Sequence, residues 1–128
     1  RECGSARTPW TAGLKARLIM PGMANIFSEI PADLPEELFE TLAQSGQVHI
    51  ERIVSRGQVT AAGEWYDQTL NEFVLLLQGG ARLEFLNGET MGLGPGDWCV
   101  IPAHRKHRVT WTDGERDTVW LAVHYPGD

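Results

Sequence analysis

The sequence predicts an all-β domain, a sandwich or barrel of short strands. Three observations predict it. From residue 48 onward, short apolar runs recur about every 8–12 residues with no helical period between them. Turn signals separate those runs: Gly79-Gly80, Asn87-Gly88, Pro95-Gly96-Asp97 and Asp113-Gly114. Fourteen glycines and seven prolines in 128 residues supply the many turns that such a fold requires. By length the chain is one domain, large enough to bury a core.

The elements follow in order. Residues 1–22 hold no clean helical or strand period, and Leu18-Ile19-Met20 is too brief for a secretory apolar segment. Met23 opens Met-Ala-Asn-Ile-Phe, which reads as a natural start. Residues 1–22 are therefore read as a tag or as translation upstream of the true start. The alternative is a native arm covering a neighbouring subunit. Residues 23–47 carry one helix candidate, Asp33 to Gly46, expected to pack outside the barrel. Asp33 can cap it, Glu36 stands three residues later, and Pro35 is tolerated in a first turn. Leu34, Leu38 and Leu42 recur at helical spacing, and Gly46 is a stop.

The barrel is expected over residues 48–128. Val48 to Ser55 is rich in β-branched residues, and Gly57 and Gly63 bracket another extended piece. Glu72 to Gln78 holds five consecutive apolar residues, and Ala81 to Leu86 follows the Gly79-Gly80 turn. Glu89 to Leu93 leads into Pro95-Gly96-Asp97. Trp98 to Ile101 reads as a buried strand, then His107 to Thr112 and Thr118 to Tyr125.

Composition bounds the function. Eleven basic against seventeen acidic side chains give a net charge of −6, which argues against a general nucleic-acid or anionic-membrane partner. No apolar run approaches the roughly 18 residues that span a bilayer. The two cysteines, Cys3 and Cys99, form neither a disulfide framework nor a zinc-thiolate spacing, so a reducing cytoplasm is the default location.

Two stretches carry the chemistry. The first runs from Gly63-Glu64-Trp65-Tyr66-Asp67-Gln68 through Glu72 to Gly79. The second runs from Pro95-Gly96-Asp97 through Pro102 to His107. Together they resemble the two motifs of the cupin superfamily, a double-stranded β-helix (jelly-roll) barrel that often holds a metal in its mouth. In the usual first motif, two histidines one residue apart precede a glutamate, and a glycine follows seven residues later. Glu72 and Gly79 fit, and both histidines are missing. Two registers compete for the empty positions, Tyr66 with Gln68 or Trp65 with Asp67. Each pair shares a strand face. Burying Asp67 unpaired is costly, but a metal would make it a hard ligand.

In the second motif the family's histidine ligand falls on His107, and the family's glycine two after the proline is His104 here. The resemblance implies a divalent ion (iron, nickel, manganese or zinc) on His107 and Glu72, with Gln68, Asp67 and His104 as further candidates. Glu72, His104 and Tyr66 are candidate catalytic groups, and Glu72 could act as a general base if no metal binds. His49 and His124 read as hydrogen-bonded barrel residues. Arg105, Lys106 and Arg108 read as a solvated loop, with anion binding as their functional alternative. The expected function is a metal-binding cupin, a mononuclear metalloenzyme acting on a small polar molecule in the barrel mouth. The alternative is a non-catalytic small-molecule binder or sensor without metal. The family resemblance also implies a homodimer.

Overall fold

The computed structural model describes residues 22–127. The reading of residues 1–22 as a tag or arm falls almost wholly outside them. The described residues form eight strands: β1 Leu38–Ser45, β2 Val48–Ser55, β3 Asn71–Gln78, β4 Ala81–Phe85, β5 Thr90–Leu93, β6 Trp98–Ile101, β7 His107–Thr112 and β8 Thr118–Tyr125. They make two antiparallel sheets, one in the order β1-β2-β8-β3-β6 and one in the order β5-β4-β7. The sheets face each other across a core that includes Ile53, Val74, Leu76, Leu83, Phe85 and Trp120. Among the described residues no helix is long and apolar enough to cross a membrane.

The helix expected over Asp33 to Gly46 is not formed. Residues 38–45 are strand β1, paired antiparallel with β2 from Leu38↔Val54 to Ser45↔Val48. The four-residue leucine spacing is real, but local propensity is a weak prior against a full ladder of inter-strand hydrogen bonds. A bulge between Thr41 and Ala43 shifts the register, which lets a sequence without strict alternation lie in the sheet. Gly46 ends the strand as a hairpin glycine with φ of 56°, the hand that a two-residue turn needs at its first position. The sheet therefore begins at residue 38, ten residues before the expected start of the barrel.

Two further readings change. The piece between Gly57 and Gly63 forms no strand, although Thr60 N–H donates to the Val109 carbonyl at 2.9 Å. Strand β6 is buried on one face only: Trp98 and Val100 point outward and are exposed, while Ile101 enters the core. Gly79 turns β3 into β4 with φ of 87°, and a Cβ there would lie 2.6 Å from Thr118 Cα. Only glycine fits that corner.

Candidate functional site

Strand pairing decides what lies in the barrel mouth. Directly paired residues in a sheet share a face. Glu72 pairs with His124 across β3 and β8, and His124 pairs with His49 across β8 and β2. All three stand on the face that continues inward as Val74, Ala122 and Ile53, so a polar row rims the apolar core. The opposite sheet contributes His107 at the head of β7.

Glu72 and His107 meet inside this rim. His107 Nε2 lies 3.7 Å from Glu72 Oε1, and both side chains are buried. His107 Nδ1 is 3.0 Å from the Arg105 carbonyl oxygen. A carbonyl only accepts, so Nδ1 carries a proton, and Nε2 faces the Glu72 carboxylate. Gln68 Nε2 donates to Glu72 Oε1 at 2.7 Å and fixes the carboxylate, while Gln68 Oε1 is buried without a hydrogen-bond partner. Tyr66 stacks on the His107 ring, with centroids 5.4 Å apart.

The register of the first motif is resolved. Tyr66 and Gln68 are the buried pair, while Asp67 is exposed and Trp65 lies half-buried beneath the Arg108 guanidinium. Backbone bonds hold the segment there: Tyr66 N–H to the His107 carbonyl, His107 N–H to the Tyr66 carbonyl, and His104 N–H to the Gln68 carbonyl. Asp67 and His104 find each other instead of the interior. Asp67 Oδ1 is 2.9 Å from His104 Nδ1 on the rim, where the side chains are 44% and 66% exposed. His104 takes a left-handed backbone, φ of 65°, in making that turn.

Behind Glu72 lies a carboxylate that the sequence reading passed over. Glu51 is completely buried. Its Oε2 lies 2.9 Å from His124 Nε2, and its Oε1 lies 3.8 Å from His49 Nε2. His124 Nε2 also faces Glu72 Oε2 at 3.9 Å. The signal was available: in β2, period-two alternation puts Glu51 on the same face as Ile53. His49 and His124 are hydrogen-bonded barrel residues, as read, His49 to Thr41 Oγ1 at 3.2 Å and His124 to Glu51.

Between the sheets, beside Glu72 and His107, is a cavity of about 40 Å³. Its walls are largely apolar, with Phe39, Tyr66 and Trp120 as the aromatic ones and Glu37 as a second carboxylate. Cys99 packs against the same core, and its thiol pKa is pushed up by burial and then by the Glu72 charge.

The matching family model is the cupin domain, aligned to residues 52–124. The chain belongs to the cupin family. A crystal structure from Ralstonia eutropha JMP134, named as a proposed mannose-6-phosphate isomerase, is similar at 42% identity and a TM-score of 0.80, covering 84% of this chain and 100% of that one. A cupin superfamily protein from Desulfitobacterium hafniense DCB-2 is similar at 24% identity and a TM-score of 0.63, covering 77% of this chain and 84% of that one. A DMSP lyase from Ruegeria pomeroyi DSS-3 shares the fold at 21% identity and a TM-score of 0.54, covering 66% of this chain and 40% of that one. Comparison with curated proteins gives no match.

The cupin metal set can now be tested on this chain's own donors. The ligand positions fall on Tyr66, Gln68, Glu72 and His107. Two of these are strong ligands. Tyr66 is engaged ring-to-ring with His107, and Gln68 turns its amide N–H toward the carboxylate. Among the described residues, no three His, Cys, Asp or Glu side chains converge on a point that could hold an ion. Such a set does not fit a resident divalent metal, which takes three or more protein donors at catalytic sites.

Proposed function

We propose that this cupin binds a small polar molecule in its barrel mouth without a resident divalent metal, and that Glu72 and His107 are the groups that meet it. The buried Glu72–His107 pair, 3.7 Å apart beside a largely apolar cavity, carries this reading. Buried polar groups are ordinarily paired, and in this cluster the buried Gln68 Oε1 has no hydrogen-bond partner. A bound molecule supplies the missing donor.

The chemistry available is proton transfer. Glu72, oriented by Gln68, takes a proton from the bound molecule at the oxygen facing His107. His107, with its Nδ1–H on the Arg105 carbonyl, keeps Nε2 aimed at the same point. The apolar walls keep water from competing for both groups.

The name of the Ralstonia protein points to phosphosugar isomerisation, which also moves a proton between neighbouring carbons. A phosphate, however, needs basic donors. At this mouth Arg105 is paired with Glu89 at 3.0 Å and Arg108 with Glu84 at 2.6 Å. Of the loop's basic residues that leaves Lys106, and one lysine is a weak basis for choosing a phosphorylated molecule.

Metal analysis of untagged protein tests the reading. Less than stoichiometric metal, with protein NMR signals of His107 that respond to small polar molecules, supports it. One metal per chain that is lost in His107→Ala overturns it and replaces it with a metalloenzyme.

A further inference from the structure

We infer that Gln68 selects what the mouth binds, and that the molecule it selects presents a neutral hydroxyl on a small carbon body. The inference rests on the mouth being a small-molecule site, and adds the class of molecule and the residue that reads it.

The starting point is one atom. Gln68 is 5% exposed, and its Oε1 is buried with no hydrogen-bond partner among the described residues. The amide has no easy way to turn and relieve this. Its Nε2 donates to Glu72 Oε1 at 2.7 Å, and a half-turn would set an acceptor oxygen against an ionised carboxylate at that separation. Glu72 therefore fixes which end of the amide is left over, and that end accepts. Its position also suits a reader of bound molecules. Tyr66 and Gln68 are buried together while Asp67 between them is exposed. Tyr66 and Glu72, on either side of Gln68 in sequence, both line the cavity. The main chain holds the residue in place, because the Gln68 carbonyl accepts from the His104 N–H at 2.7 Å.

A buried acceptor without a donor is costly, so it favours a molecule that brings one. A hydroxyl brings one donor. A simple ketone brings none, and a carboxylate brings none and also meets the Glu72 charge. An ammonium brings three donors and a full charge to a place where one acceptor lacks a partner. Glu72 already receives the Gln68 N–H, and it faces the imidazoles of His107 and His124 at 3.7 and 3.9 Å. Water brings a donor too, but it leaves the walls unanswered. The cavity of about 40 Å³ exceeds the roughly 10–15 Å³ that one water needs on the same measure. Val74, Leu83, Ile101 and Val109 give it sides that favour carbon over water. A hydroxyl carried on a few carbons answers the acceptor and the walls together.

The test uses the full chain at neutral pH and four probes of matched size: 2-propanol, acetone, acetate and isopropylammonium. NMR shift titrations at Tyr66, His107 and Trp120 report binding. The alcohol should bind about fivefold or more tightly than acetone, the worth of one hydrogen bond to a buried acceptor. Acetate should not bind, and isopropylammonium should bind more weakly than the alcohol. Gln68→Met keeps the length of the side chain and removes the acceptor. There the ratio of alcohol to acetone affinity should fall to about one, while a native-like spectrum confirms the fold. Gln68→Leu serves if that variant misfolds. The ratio separates recognition of the hydroxyl from a packing role, since lost packing would weaken both probes alike. A wild-type ratio near one, a ratio unchanged by the substitution, or tighter binding of acetate or isopropylammonium overturns the inference and leaves the broader reading intact. No shift at His107 with any probe overturns both.

Discussion

Glu51 and Arg52 are neighbours on β2, point to opposite faces of the sheet, and are both buried, at 0% and 2% exposure. Their surroundings differ. Arg52 lies on the outer face, under the segment that precedes β1. Its guanidinium pairs with Glu40 and donates to the carbonyls of Ser28 at 2.7 Å and Ile26 at 3.0 Å. Every direction the guanidinium faces is an acceptor, and the result is a clamp that seals residues 26–28 onto the sheet. Glu51 lies on the inner face, in a row with His49, His124 and Glu72. That row reaches the cavity at Glu72. A charge matched on all sides holds structure together. A charge beside a cavity, as at Glu72, stands where a bound molecule can meet it.

Substitutions can break or sharpen this contrast. Arg52→Ala should have the largest effect, a loss of about 3–5 kcal/mol in chemical denaturation, because the buried Glu40 would lose its guanidinium partner and the segment at residues 26–28 its clamp. A loss below about 1 kcal/mol would mean the clamp is not needed. Glu51→Gln keeps the shape and should cost less, about 1–3 kcal/mol, by weakening the bond to His124. Glu72→Gln should cost less still or stabilise the fold while weakening ligand binding, since functional groups are commonly held at the expense of stability. A destabilisation as large as that of Arg52→Ala would instead make Glu72 a structural group.

Two smaller effects probe the same faces. The outer face that Arg52's clamp seals at β1 and β2 is uncovered at β6, where Trp98 is 62% exposed and packs beside Phe73. We expect two copies to pair there, so sedimentation should give a dimer for the wild type and a monomer for Trp98→Lys. A wild-type monomer would remove that expectation. On the inner face, burial and the Glu72 charge both raise the Cys99 pKa, so the thiol should be alkylated slowly in mildly alkaline solution. Removing the charge in Glu72→Gln stabilises the thiolate, lowers its pKa, and should speed alkylation a few-fold. An unchanged rate would mean that Glu72 carries no charge felt at Cys99.

Much of this was legible in the sequence because turns and alternation speak directly about strands. Gly79, Asn87-Gly88 and Asp113-Gly114 set the corners, and the strands from β2 to β8 fall within one residue of their expected spans. The meeting of Glu72 with His107 was legible through family spacing. Residues 38–45 were not legible, because leucines at helical intervals favour a helix until a partner strand supplies hydrogen bonds. The rim was misjudged for a related reason. Asp67 and His104 satisfy each other across 37 residues of sequence, a pairing that no local pattern encodes. Glu51 was missed because β2 is buried on both faces, so the surrounding apolar residues masked its alternation.

The backbone ties between Tyr66 and His107, and between Gln68 and His104, work like stitches across the lip of a pouch. Side-chain changes can alter what the pouch prefers, but its aperture is fixed by the main chain. Re-engineering this scaffold for bulkier cargo would therefore have to begin by unpicking that seam.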